Sequence, residues 1–200
     1  MVKFSRRRLL AAAAGLSWGC RGAEVATEAP ATESLAAEPP EGPELLATYY
    51  PTPLPVVRLM LEMSGLRPGD LLYDLGSGDG RIVLMAAREF GAHAVGYEID
   101  ELLIAESRSA IKAADVEDRA EIRNEDLILA DYSAPDVIST FLTPEGLAKV
   151  TPRLEQTLRP GTRLVAYKFP LPGWTPERVE ELVDEDPEIP LHEVFLYRWG

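Results

Sequence analysis

Apolar residues recur at helical spacing in some segments of this chain and as short strand-like runs in others, and the two kinds alternate. Helices repeat their apolar positions every three or four residues, whereas fully buried strands are short continuous apolar runs. This alternation predicts an α/β protein. The predicted elements are, in chain order, a helix from Val56 to Gly65, a turn and strand at 66–72, a helix at 82–90, a strand at 92–97, a helix at 100–114, strands at 120–123 and 136–142, a helix at 144–158, and a strand beginning near 163.

The C-terminal part of the pattern is less uniform. Val179, Leu182 and Val183 have helical spacing, so segment 178–184 is ambiguous between a helix and a strand. In residues 192–199, Val194, Leu196 and Arg198 alternate with the aromatic side chains of Phe195, Tyr197 and Trp199. We expect this segment to form the last strand, running antiparallel to its neighbours.

A glycine-rich turn between the first predicted strand and its helix is the most informative stretch. Gly76, Gly78 and Gly80 alternate with polar residues, and Asp74 precedes the first glycine by two positions. Glycines let the backbone turn tightly and approach a ligand, and the following helix start presents unpaired N–H groups. A dinucleotide site would have the spacing G-x-G-x-x-G, and the Asp74 carboxylate would repel a pyrophosphate. The turn instead suits a ligand with a cationic end, such as the amino group and sulfonium of S-adenosylmethionine.

An acidic residue at the end of the second strand supports a ribose-containing ligand. Glu98 follows the turn by about 20 residues, where a carboxylate accepts hydrogen bonds from ribose hydroxyls. NAD sites share this acid, so Glu98 alone does not distinguish the two cofactors. An NAD-type oxidoreductase is disfavoured by Asp74 and by the spacing of the glycines, which is G-x-G-x-G rather than G-x-G-x-x-G.

These residues resemble the class I, seven-β-strand methyltransferases, whose motif D/E-x-G-x-G-x-G is matched by DLGSGDG at 74–80. With GYEID at 96–100, TFL at 140–142 and LRPGTRLV at 158–165, the chain resembles the disruptor-of-silencing-type histone lysine methyltransferases and small mitochondrial and bacterial protein-lysine methyltransferases. The resemblance runs from about 49 to 198. It implies a Rossmann-like doubly wound sheet, mostly parallel with an antiparallel C-terminal strand, and a sixth strand near 178–184.

The resemblance also implies S-adenosyl-L-methionine as the cofactor and assigns expected contacts. The expected cofactor-binding residues run from the amino acid end through the ribose to the adenine and are Asp74, Gly76, Ser77, Gly78, Gly80, Glu98, Ile99, Asp126 and Leu127. The expected acceptor channel is lined by Tyr50, Thr52, Thr140 and Phe141.

The expected reaction is in-line transfer of a methyl group to a neutral nucleophile, with lysine in a protein as the leading acceptor. Alignment and desolvation suffice for this step, and no residue is assigned a catalytic role. The fourth strand lacks the Asn/Asp-Pro-Pro-aromatic motif that many amino- and DNA-methylating relatives carry. The acceptor therefore stays open, and a small-molecule methyltransferase is an alternative.

The N-terminal 44 residues differ in composition from the rest. A basic segment, KFSRRR, precedes an apolar run at 9–18 that is too short to span a bilayer comfortably. Residues 1–20 thus resemble a twin-arginine export signal, with Cys20 a candidate for lipidation. Residues 21–44 have too few apolar side chains to fold and are expected to form a disordered tether to a methyltransferase domain at 45–200. The expected location is the cell envelope, with the cytoplasmic face as the alternative.

Export raises a second functional alternative, because S-adenosylmethionine is made in the cytosol. A tethered domain that binds the cofactor without turning it over would fit that location. The formal net charge of −13 argues against a nucleic-acid substrate and is compatible with a basic protein partner, although much of it is also expected to be solvated surface. The single cysteine excludes an internal disulfide, and His93 and His192 have no acids at metal-ligand spacing, so no metal site is expected.

Overall fold

A computed structural model describes residues 46–183 and 191–200. The predicted export signal, Cys20 and the tether lie outside these ranges. None of the helices within them combines the length and the apolar character needed to span a bilayer.

The described residues form helices and strands in an alternating order. Their bounds are α1 Leu54–Met63, β1 Leu71–Leu75, α2 Arg81–Glu89, β2 His93–Glu98, α3 Glu101–Ala113, β3 Ala120–Asn124, β4 Val137–Thr140, α4 Pro144–Thr157, β5 Arg163–Tyr167, β6 Arg178–Val183 and β7 Leu191–Arg198.

The strands form one seven-stranded sheet in the order β3-β2-β1-β4-β5-β7-β6. Neighbouring strands from β3 to β5 are parallel, whereas β7 runs antiparallel to both β5 and β6. The predicted fold class is therefore confirmed. The chain reverses its direction of winding between β1 and β4, and ligands of such sheets bind beyond the carboxyl ends of the strands at this switch point.

Helices cover both faces of the sheet. Buried side chains of α1, α2 and α3, among them Met60, Val83 and Ile104, pack on one face. Leu147 and Leu154 of α4 pack on the other face together with Tyr97 and Tyr197. Removal of these apolar surfaces from water is the main force that holds the layers together.

Segment 178–184, ambiguous from sequence, is a strand up to Val183. Leu182 pairs with His192 of β7 and is buried in the core, while Val179 and Val183 point away from it and stay exposed. In a helix, the backbone N–H and C=O groups of this segment would bond to each other, whereas here they bond to β7. This pairing between strands overrides the helical spacing of the apolar residues.

The fourth strand is shorter than predicted and ends at Thr140. The Thr143 hydroxyl accepts a hydrogen bond from Gly146 N at 3.1 Å and caps α4. The residues between strand and cap are thereby turned out of the sheet, across the carboxyl ends of the strands.

Gly80 is the N-cap residue of α2, has a φ of 78° and lies against α3. A Cβ there would approach Ser107 Cβ to 2.9 Å, whereas one at Gly161, with a φ of 88°, would meet no heavy atom within 4 Å.

Gly161→Ala should cost only the strain of a left-handed alanine, about 1–2 kcal/mol. Gly80→Ala should cost about 1–3 kcal/mol more, because α2 must move from α3. Urea denaturation of both variants tests this, and equal losses would contradict it.

Candidate active site

A cavity of about 390 Å³ opens at the carboxyl ends of the parallel strands. Its size is in the range usual for small-molecule sites. Its lining includes Tyr49, Tyr50 and Thr52 from the segment before α1, Asp74 near the end of β1, Gly76, Ser77 and Gly78 after β1, Glu98 at the end of β2, Ile99 after β2, Asp126 and Leu127 after β3, Phe141 and Leu142 after β4, and Phe169 after β5.

The glycine-rich turn is attached to the end of β2. Gly76 N and Ser77 N both donate to Tyr97 O, at 3.0 and 2.9 Å. Gly76 and Gly78 have φ values of 77° and 54°, which favour glycine. A Cβ at Gly78 would lie 2.7 Å from the Tyr49 ring, so this position must also lack a side chain.

The Asp74 carboxylate is the most constrained group of the site. It is 1% exposed, and its Oδ1 accepts a hydrogen bond from Ser139 Oγ at 2.8 Å. Its Oδ2 has no partner among the described residues. Burial raises the pKa of Asp74 from its ordinary value of 3.8 to about 7; the Ser139 hydrogen bond opposes this rise, and the Glu98 and Asp79 carboxylates add to it. A ligand cation would satisfy the open oxygen and favour the ionised form.

Glu98 connects the turn to the start of α3. Its Oε2 accepts from Gly78 N at 2.9 Å, and its Oε1 accepts from Ile99 N and Asp100 N at 2.8 and 3.0 Å. An ionised carboxylate has about four acceptor positions, so one is left for a ribose hydroxyl. Asp100 in turn caps α3 by accepting from Leu102 N at 2.8 Å.

The predicted adenine contacts lie at the far end of the cavity. Asp126 and Leu127 both line it. Asp126 Oδ1 accepts from Ile128 N at 2.9 Å, and the Tyr132 hydroxyl donates to Leu127 O at 2.6 Å. These bonds fix the loop after β3.

Two predicted site residues do not line the cavity. Gly80 packs against Ser107 of α3. Thr140 is buried within β4, where it pairs with Leu75 and Ala166. Their contributions to the site are therefore indirect, through the packing of α2 and β4.

The structure adds site residues that sequence reasoning missed. Arg81 Nη2 lies 2.6 Å from Asp79 Oδ2, and Arg81 Nη1 donates to Thr52 O at 2.9 Å. Tyr49 lies beside this pair, and burial together with the Asp79 carboxylate raises the pKa of its hydroxyl. The pair holds segment 46–53 over the glycine turn. The residues of DGR at 79–81 are visible in the motif, but nothing in the sequence connects Arg81 to Thr52.

Metal ligation finds no support in this part of the chain. Within residues 46–183 and 191–200, no group of three or more His, Cys, Asp or Glu side chains is placed to hold an ion. Buried His192 shares a hydrogen bond with the Tyr167 hydroxyl, whereas His93 is exposed.

The residues fit S-adenosylmethionine. The open Asp74 oxygen suits its amino group, Glu98 its ribose and the Asp126–Leu127 loop its adenine. Together with the strand order, they define a class I methyltransferase with S-adenosylmethionine as its cofactor.

Comparison with known proteins agrees. The family model described as the ANTKMT methyltransferase domain matches residues 74–178, and the chain belongs to this family. It is 39% identical to a protein-lysine N-methyltransferase of Saccharolobus islandicus, over 76% of this chain and 93% of that relative.

Other relatives extend the comparison. A lysine N-methyltransferase of Xenopus laevis, named for an ATP synthase component, is 33% identical over 68% of this chain, which spans 59% of that relative's length. The structure is similar to an RNA methyltransferase from Salinibacter ruber in complex with S-adenosyl-L-homocysteine. That match has a TM-score of 0.68 and 42% identity, over 74% of this chain and 93% of the other.

The raised pKa of Asp74 predicts a pH-dependent stability. The folded state retains the proton up to about pH 7, whereas the unfolded chain loses it near pH 3.8. Between these values the cofactor-free protein loses stability as the pH rises, by up to about 1.4 kcal/mol per pH unit. Asp74→Asn cannot ionise, so its free energy of unfolding should increase relative to the wild type over the same interval.

Urea denaturation from about pH 5 to about pH 8 measures this difference. Glu117→Gln, at an exposed carboxylate, is the matched control and should differ from the wild type by a constant amount. A constant difference for Asp74→Asn as well would show that Asp74 titrates normally.

Proposed function

We propose that this protein transfers a methyl group from S-adenosylmethionine to the side-chain amine of a lysine in an acceptor protein. The observation that carries the proposal is the layout of the cavity. Its cofactor-type residues lie beyond β1, β2 and β3, and it continues beyond β4 and β5 to the aromatic side chains of Phe141 and Phe169. The names of the relatives support a lysine acceptor, including a mouse adenine nucleotide translocase lysine N-methyltransferase, 38% identical over 56% of this chain.

The side chains of the site supply orientation and a dry environment. When bound, S-adenosylmethionine supplies an electrophilic methyl group on a sulfonium. Asp74 would hold the amino group and Glu98 the ribose, which would fix the direction of the methyl group. Phe141 and Phe169 exclude water at the other end, and an apolar surrounding favours the neutral amine over the ammonium ion. Methyl transfer to the neutral amine would release S-adenosylhomocysteine, and the lysine would give its ammonium proton to solvent at the cavity mouth before its nitrogen enters the dry end of the site.

The charge around the cavity favours a protein over a nucleic acid. Asp79, Glu98, Asp100, Glu125 and Asp126 all line the cavity, and Arg81, the only basic residue among the described lining, is paired with Asp79. Phosphates would be repelled by such a site, whereas basic protein segments would be attracted. An RNA acceptor is the second candidate, because the similar Salinibacter ruber protein is described as an RNA methyltransferase.

The rim of the cavity is apolar as well as acidic. Tyr50 lines the cavity and is 53% exposed, and three leucines within two positions of lining residues along the chain, Leu54, Leu102 and Leu129, are 56%, 82% and 72% exposed. Exposed apolar side chains near a site are compatible with a protein-binding surface. Such a rim adds contacts for a protein acceptor and none for a hydrophilic small molecule.

The proposed activity is tested by incubating the full-length protein with tritiated S-adenosylmethionine and, separately, basic proteins, total RNA and a small-metabolite fraction. We expect label in protein, recovered as methylated lysine after acid hydrolysis. Glu98→Ala is the negative control, because loss of a charged acceptor should weaken cofactor binding by about 1–3 kcal/mol.

Label in RNA or metabolites alone would overturn the lysine proposal. No label in any fraction, with cofactor binding seen by calorimetry, would support a binding-only domain.

We also propose that residues 1–20 direct the protein to the cell envelope and that residues 21–44 tether the domain at 45–200, on the sequence pattern alone. Cell fractionation of wild type and Cys20→Ser tests this. Wild type is expected with the membranes, and Cys20→Ser is expected to leave them because lipidation is lost. Cytosolic wild type would contradict the proposal.

A further inference from the structure

Two phenylalanines from neighbouring loops bound the end of the cavity away from the cofactor residues. Phe141 follows β4 and packs against the core on the α1 face, whereas Phe169 follows β5 and packs against the core on the α4 face. The two rings therefore approach the cavity from opposite sides of the sheet. On the proposed function, an acceptor lysine would pass between them.

Tyr167 connects these two side chains without lining the cavity itself. It is the last residue of β5 and is 2% exposed. Its ring packs on Phe141, with centroids 4.5 Å apart. Its carbonyl oxygen accepts a hydrogen bond from Phe169 N at 2.8 Å across Lys168, whose φ is 69°.

This three-residue turn with a positive φ at a lysine is a strained conformation. Such γ-turns are rare, and residues in sparsely populated backbone regions cost about 1–3 kcal/mol. They persist where the surrounding structure holds them, and they are concentrated at functional sites.

Strand β7 supplies the contacts that hold the turn. The Tyr167 hydroxyl and His192 Nδ1 are 2.7 Å apart, and His192 is also 2% exposed. Lys168 N donates to Glu193 O at 2.8 Å. Tyr167 is thus held by a side-chain hydrogen bond to His192, and Lys168 is held by a backbone hydrogen bond to Glu193. These are the two residues that precede Phe169.

We propose that Tyr167 and His192 are positioning residues for methyl transfer, since their buried hydrogen bond fixes Phe141 through the Tyr167 ring and Phe169 through the turn. This inference rests on the proposed function in one respect, namely that the acceptor enters between the two phenylalanines. A misplacement of the reacting groups by about 1 Å can lower the rate by about a hundredfold. The pair therefore sets the rate of the reaction without touching cofactor or acceptor.

The kinetic test uses Tyr167→Phe, which removes only the hydroxyl, with the methylated protein found in the labelling experiment as acceptor. We expect kcat to fall about tenfold, because the channel walls lose their alignment, while the cofactor Kd stays unchanged. Thr151→Val is the matched control, since it also deletes one buried hydroxyl, which donates to Leu147 O at 2.7 Å within α4 and does not line the cavity. It should leave both kcat and the cofactor Kd unchanged.

A second readout needs no acceptor. The chain contains five phenylalanines, and 4-fluorophenylalanine labelling reports each by fluorine NMR. His192→Leu should shift or broaden the signals of Phe141 and Phe169 and leave that of Phe90, at the end of α2, in place. His192→Asn should restore the wild-type signals, because its amide oxygen lies at the position of Nδ1 and can accept the Tyr167 proton.

Unchanged Phe141 and Phe169 signals together with unchanged kcat would overturn the proposal. The proposal would also be overturned if all fluorine signals broadened equally and kcat fell only in proportion to the amount of folded protein. That result would mean that the pair has a purely structural role. Shifted signals without any labelled acceptor would leave the positioning role in place and count against lysine methylation.

Discussion

The Asp74 carboxylate lies at the switch point of the sheet, where it has lost contact with water and gained one hydrogen bond, from Ser139. A buried carboxylate with an open oxygen is costly, and the cost is lowest when a ligand cation completes the site. The glycine turn and the Glu98 side chain line the same cavity as Asp74 because β1 and β2 end side by side. In the proposed function, the residues expected to bind the cofactor are arranged around this one group.

The other parts of the site close the cavity around the cofactor position. The Arg81–Asp79 pair holds the segment before α1 across the glycine turn, and Gly78 makes room for the Tyr49 ring. At the opposite end, Phe141 and Phe169 come from loops whose conformations depend on their neighbours. Alignment, desolvation and charge are thus supplied by different segments, which suits a reaction that needs little acid–base chemistry.

Much of the cofactor half could be predicted because it is local. Asp74 and Gly78 belong to one strand–turn–helix unit, and Glu98 and Asp126 each follow a strand that the apolar pattern marks. The carboxyl ends of parallel strands meet at one edge, so these residues converge. Gly80 and Thr140 show the limit of this reasoning. A motif position states where a residue lies along the chain but not whether its side chain faces a cavity or a neighbouring element.

By itself the sequence determined the α/β alternation, the glycine turn and the acids after β2 and β3, because these depend on periodicity and on residues a few positions apart. Spacing left segment 178–183 ambiguous, and pairing with β7 makes it the strand that the family resemblance implied. Tertiary structure alone decided that Arg81 reaches Thr52 and that Tyr167 meets His192. These contacts join residues distant in the chain, and their formation depends on packing and on the pairing of buried polar groups. Local propensity and spacing contain no record of either.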